Sequence, residues 1–82
     1  MYSIEFSQTT EKQLYKLDRQ VQQRIINVLE RIKIRPFHFI KRKQGTLYFI
    51  LRIGEHRAIL DVGEEKNTIF VIEAGHRKNI YD

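Results

Sequence analysis

The sequence predicts one α+β domain, a helical hairpin packed on a four-stranded, mainly antiparallel sheet in the chain order β-α-α-β-β-β. Three features predict it. Residues 2–6 alternate apolar and polar, as a half-buried strand does. Residues 18–35 carry an apolar stripe at helical spacing. Beyond Gly45 the chain is rich in β-branched and aromatic residues, interrupted by two short polar connections that contain glycine. With 82 residues the chain supplies one hydrophobic core, so 1–82 is read as a single domain.

The elements follow in order. Tyr2, Ile4 and Phe6 share one side of the first strand. Ser7 or Thr10 suits the N-cap of a first helix, Thr10 and Gln13 having capping-box spacing, and Leu14 and Leu17 supply its short stripe. Asp18 is the expected N-cap of a second helix in which Val21, Ile25, Val28, Leu29 and Ile32 line one face. That helix should stop near Arg35, because Pro36 disfavours a helical conformation in the residue before it. Residues 37–45 show no period and are expected to form a basic, aromatic loop. Strands are expected over 46–53, 56–62 and 68–74, joined by Gly54-Glu55 and by residues 63–67.

Composition narrows the chemistry. There is no Cys, which excludes disulfides, thiolate metal sites and a cysteine nucleophile; the three His residues have no metal-ligand spacing, so neither metal nor cofactor is expected. No apolar run approaches the roughly 20 residues that span a bilayer, and the N-terminus lacks a secretion-signal pattern, so a cytoplasmic protein is expected. The formal net charge is +5, unevenly spread. Residues 31–57 hold eight basic side chains and one acid, net +7, which leaves −2 for the remainder. Such asymmetry suits a surface that meets phosphates.

The sheet register locates the charge. A hairpin about Gly54-Glu55 sets Arg52 opposite Arg57, Leu51 opposite Ala58, Phe49 opposite Leu60 and Leu47 opposite Val62, which makes one face apolar. The other face carries Tyr48, Ile50 and Arg52 against Asp61, Ile59 and Arg57, a mixture unsuited to packing under helices. A second hairpin about Glu65 sets Arg57 opposite Glu73 and Leu60 opposite Phe70. Arg52, Arg57, His76 and Arg77 are then expected to converge at one end of the sheet. Guanidinium groups stay charged and offer planar donors to phosphate oxygens, while His76 can exchange a proton near neutral pH. Glu73 bridging the arginines is the alternative, purely structural reading of the cluster. Lys33 to Lys43, including Lys41 and Arg42, form a more diffuse basic flank suited to an RNA backbone.

In this order of elements, Leu51-Arg52-Ile53-Gly54-Glu55-His56-Arg57 and Ala74-Gly75-His76-Arg77-Lys78-Asn79-Ile80-Tyr81 resemble the RelE/ParE toxin superfamily over essentially the whole chain. The resemblance implies a type II toxin whose RelE-like members cut messenger RNA in the ribosomal decoding site and are silenced by a cognate antitoxin. It implies that Arg57 and Arg77 hold the scissile phosphate and its developing charge, and that Tyr81 orients or stacks substrate. His76 stands where some relatives carry a catalytic histidine. Tyr48 and Ile50 replace the two strand-two lysines of the best-known RelE type, which leaves the general base unassigned. Arg52, Tyr48, Lys41, Arg42 and Lys43 complete the expected RNA-binding set. A ParE-like inhibitor of DNA gyrase and a non-catalytic basic module binding nucleic acid or ribosome are the competing functions.

Overall fold

The computed structural model describes residues 1–80. It contains β1 (Ser3–Phe6), α1 (Gln8–Tyr15), α2 (Arg19–Ile32), a 3-10 turn (Pro36–His38), β2 (Lys41–Arg42), β3 (Phe49–Ile53), β4 (His56–Gly63) and β5 (Thr68–His76). The strands form one mixed sheet in the order β1-β5-β4-β3-β2. β1 runs parallel to β5 and every other pairing is antiparallel. The α+β class is as expected, with one strand more than the four read from the sequence.

The helices cover one face. Ser7 is the N-cap of α1, its Oγ accepting from the Thr10 N–H at 2.9 Å. Asp18 occupies the N-cap position of α2, and Ile25, Leu29 and Ile32 are the buried residues of that helix. They pack with Leu51, Ala58, Leu60, Ile69, Val71 and Ala74 from the sheet to form the core. α2 ends at Ile32, earlier than the proline alone required, and the Lys33 carbonyl accepts from the Tyr2 N–H at 2.9 Å, tying the helix end to the start of β1.

Two expectations for the segment before and into β3 are corrected. The segment 37–45 is not wholly loop, because Lys41 and Arg42 pair with Ile50 and Phe49 as an edge strand. Packing stabilises that strand: the Arg42 guanidinium lies over the Phe49 ring at 4.5 Å, and Phe37 meets the same ring edge-on at 5.4 Å. β3 begins at Phe49 rather than Thr46, since Lys43 to Thr46 turn. The Thr46 N–H donates to the Lys43 carbonyl at 3.1 Å, and Gly45 takes φ +79°, as the third residue of a type II turn must. Leu47 is therefore 81% exposed and faces no partner.

The register of the second hairpin also differs. Arg57 pairs with Gly75 and Ile59 with Glu73, then the register shifts so that Leu60 pairs with Val71 and Asp61 with Phe70. Val71 and Ala74 are both fully buried although three residues apart, which a regular strand cannot achieve because its side chains alternate. A bulge at Ile72 restores the phase. Beyond the end of β1, α1 side chains serve the exposed edge of β5. Ser7 Oγ donates to the Ile72 carbonyl at 2.7 Å, Thr10 Oγ1 donates to the Val71 carbonyl at 2.8 Å, and Gln13 Oε1 accepts from the Ala74 N–H at 2.8 Å. Thr10 and Gln13, read as a capping box, clamp the bulge instead.

Candidate nucleic-acid interface

The site is built on the β3–β4 hairpin. Gly54 takes φ +60° and no other residue of that turn has a positive φ, which matches a type II′ connection with glycine first. The turn sets Arg52 opposite Arg57, as the sequence predicts. Like charges in direct opposition cost up to about 1 kcal/mol. Arg57 is anchored by the turn itself, its Nη1 donating to the carbonyls of Gly54 and His56, both at 2.9 Å.

Arg77 extends the ladder by one step. Its N–H donates to the Glu55 carbonyl at 2.8 Å, and its Nε lies 3.0 Å from Glu55 Oε2. Side-chain alternation along this ladder places Arg52, Arg57 and Arg77 on the face that the helices leave uncovered. Gly75 lies between the last two, opposite Arg57. A Cβ on Gly75 would stand 3.6 Å from Ile80 Cγ1, so the chain folds back over this face. Asn79 and Ile80 both donate their N–H groups to the His76 carbonyl in that turn, and Ile80 is 4% exposed. Tyr81, the expected stacking residue, lies outside the described residues.

His76 does not share the arginines' face. It pairs with His56, whose neighbours Ala58 and Leu60 point into the core, and the two imidazoles meet edge-on at 5.5 Å. The expected four-residue convergence is therefore an arginine trio on the open face and a histidine pair at the same end of the sheet on the helix side. Alternation explains it, since His76 lies one residue beyond Gly75 and one before Arg77. The Lys78 N–H donates to His76 Nδ1 at 3.1 Å, which leaves Nε2 to carry the proton of the neutral ring. His56 is held below the ordinary imidazole range, chiefly by burial and then by His76 and the Arg24 guanidinium, with Glu55 opposing. Glu73 faces Ile59, one step along from Arg57 on the open face, rather than Arg57 itself.

The basic flank is also divided. Lys41 is opposite Ile50 and shares the arginines' face, whereas Arg42 turns to the other side and stacks on Phe49. Lys43 is half-buried, its N–H donating to the Tyr48 carbonyl at 2.8 Å, and the Tyr48 side chain is exposed just before β3. Between β2 and β3 lies a cavity of about 240 Å³ lined by Phe39, Lys41, Arg42, Gln44, Ile50 and Arg52. Sequence reasoning missed Phe39 and Gln44; the mixture of aromatic and basic residues in 37–45 was the available signal. Ile50 and Ile59, expected on an exposed face, are buried and form an apolar strip on it. Among the described residues no group of three or more His, Asp or Glu side chains is arranged to hold a metal ion.

No protein-family model matches the sequence, and no curated protein matches it. Solved structures do. A chain of the RelBE2 toxin–antitoxin complex from Mycobacterium tuberculosis superposes with a TM-score of 0.84 at 22% identity, over 93% of this chain and 98% of that one. The isolated RelE toxin of E. coli superposes with a TM-score of 0.77 at 21% identity, over 93% of this chain and 84% of that one, which decides that the toxin is the matching component. This chain has the RelE toxin fold. The RelB–RelE antitoxin–toxin complex from Methanococcus jannaschii gives a TM-score of 0.73 at 26% identity over 95% of both chains. On the RelE fold of this chain, the arginine trio occupies the sheet face opposite the helical hairpin, and among the described residues no helix is long and apolar enough to cross a membrane.

Proposed function

We propose that this chain is the toxin of a type II toxin–antitoxin system, an endoribonuclease that cuts messenger RNA on the ribosome. The observation that carries the reading is the gathering of Arg52, Arg57 and Arg77 at the hairpin end of the uncovered face of a RelE-fold sheet. Attack of a ribose 2′-oxygen on the adjacent phosphorus forms a cyclic 2′,3′-phosphate and breaks the bond to the 5′-oxygen of the next nucleotide. The 2′-hydroxyl gives up one proton and the leaving oxygen gains one. Such a reaction needs alignment and neutralisation of charge on the phosphoryl oxygens, which anchored guanidinium groups supply. Arg57 and Arg77 hold the phosphate, and Arg77 exchanges its Glu55 partner for it. His76, at the rim where β5 ends, is the proton donor once its Nδ1 exchanges the Lys78 hydrogen bond for a proton from water; the imidazolium then gives its Nε2 proton to the leaving oxygen and returns to the neutral ring. Tyr81 and Tyr48 are stacking groups for the flanking bases.

A cognate antitoxin silences the protein in this reading. The uncovered face gathers Arg52, Arg57 and Arg77, a basic surface complementary to an acidic segment. Primer extension on translated messages after brief induction tests the function. Discrete cuts within codons, abolished in Arg77→Ala, are expected; uncut messages in cells arrested by folded protein overturn it.

A further inference from the structure

We propose that the cavity between β2 and β3 is a nucleobase pocket that sets which codons are cut, with Phe39 as its stacking wall and Gln44 as the group that reads the base edge. The inference rests on the ribonuclease reading and adds the specificity that arginines cannot supply, since phosphate contacts position a strand while base contacts identify it.

The lining carries the argument. A 240 Å³ hollow lined by Phe39, Lys41, Arg42, Gln44, Ile50 and Arg52 brings one exposed aromatic ring and one isoleucine together with an amide and three cations. A site for phosphate alone would need no aromatic wall, and a site for an apolar side chain would not be ringed by cations. A base needs both: a flat surface for its π-face and polar atoms for its edge, with cations beside it for the attached phosphates. Phe39 is 47% exposed, and its ring is held edge-on to His38 at 5.2 Å. Gln44 belongs to the Lys43–Thr46 turn, which is closed twice, by the Thr46 N–H and by its Oγ1 at 2.8 Å, both donating to the Lys43 carbonyl. Its amide therefore stands on a fixed backbone, and it presents a donor and an acceptor together, the pair that a base edge matches. Arg52 lines the cavity and faces Arg57 across the hairpin, so the pocket adjoins the arginine cluster.

The test uses two readouts. Short single-stranded RNAs carrying a 2′-deoxy nucleotide at the cut position, with the base next to it present or removed, are titrated against the protein by fluorescence anisotropy. The wild type is expected to bind the abasic strand about tenfold more weakly, as loss of one stacked base predicts. Phe39→Ala is expected to bind both strands alike, and Phe39→Tyr to restore the difference. Cleavage mapped on programmed ribosomes supplies the second readout: Gln44→Ala is expected to lose the wild-type preference among codons and to cut codons that the wild type ignores. Both side chains are exposed, so unchanged thermal melts exclude unfolding as the cause. Equal binding of intact and abasic strands by the wild type, or no binding of either, overturns the pocket, as does an unchanged cut pattern in both variants. Base-dependent binding without any cleavage would instead overturn the nuclease reading and leave the pocket standing.

Discussion

Arg57 and Arg77 differ in how they are held, and this shapes what their removal should do. Arg57 is fixed by the carbonyls of its own turn, whereas Arg77 is held by Glu55, an exposed ion pair of the kind worth little to stability. Either substitution to Ala should slow messenger cleavage by about 100-fold or more, the loss typical of removing one group that stabilises a developing oxyanion. Arg77→Lys should recover little of it, because an ammonium lacks the planar fork that engages two phosphate oxygens. The measurement is single-turnover cleavage on programmed ribosomes. His56 makes a second prediction. Its depressed ionisation means that the unfolded chain takes up a proton more readily than the folded one as pH falls. Folding stability should therefore be constant above the ordinary histidine value of about 6.5 and decline below it. His56→Gln should flatten that decline in urea melts collected between neutral pH and pH 5; an unchanged slope would show that His56 is not its source. His76→Gln should lower the cleavage rate; an unchanged rate would assign proton transfer elsewhere.

At the scale of elements, the parts set by local pattern are legible in the sequence and those set by neighbours are not. The stripe from Val21 to Ile32 is α2, and the Gly54-Glu55 turn puts Arg52 against Arg57 as the period-two pattern requires. The Ile72 bulge is invisible to that pattern, because only the side chains of α1 make it tolerable. Gln13→Leu tests this: it leaves the Ala74 N–H without its acceptor and should destabilise the protein by about 1–3 kcal/mol in chemical denaturation. A loss close to zero would mean that the edge of β5 is satisfied by other means. β2 was unreadable for the same reason, since a two-residue strand has no period, and it depends on Arg42 and Phe37 meeting Phe49. The cavity beside it was hidden with it. The separation of His76 from Arg57 and Arg77 follows from side-chain alternation and holds in the expected register as in the observed one.

Across the whole molecule, the net charge of +5 becomes a gradient over the uncovered face. Arg52 and Arg57 lie at the β3–β4 hairpin end with Lys41 beside them on β2 and Arg77 just past β5, and Asp61, Phe70 and Glu5 occupy the same face toward the other end of β4, β5 and β1. In the ribonuclease reading, this confines a strand of RNA to the basic end of the face. Each phosphate neutralised contributes about −0.7 to the slope of log affinity against log salt for a single strand. Three arginine contacts should give a slope near −2 by that rule, and Arg52→Ala should reduce its magnitude by about 0.7. A slope near zero would contradict a phosphate-binding face. Co-expression with a cognate antitoxin should relieve growth arrest, whereas harmless accumulation of folded protein alone would count against a toxin. The most direct test is cleavage itself, read by primer extension on ribosomes programmed with a defined message. Wild-type protein should produce discrete cuts within codons only when ribosomes are present, and Arg77→Ala should produce none at matched times. Intact message with wild type, or cutting by Arg77→Ala at the wild-type rate, would contradict the assignment of this arginine face as a ribonuclease site.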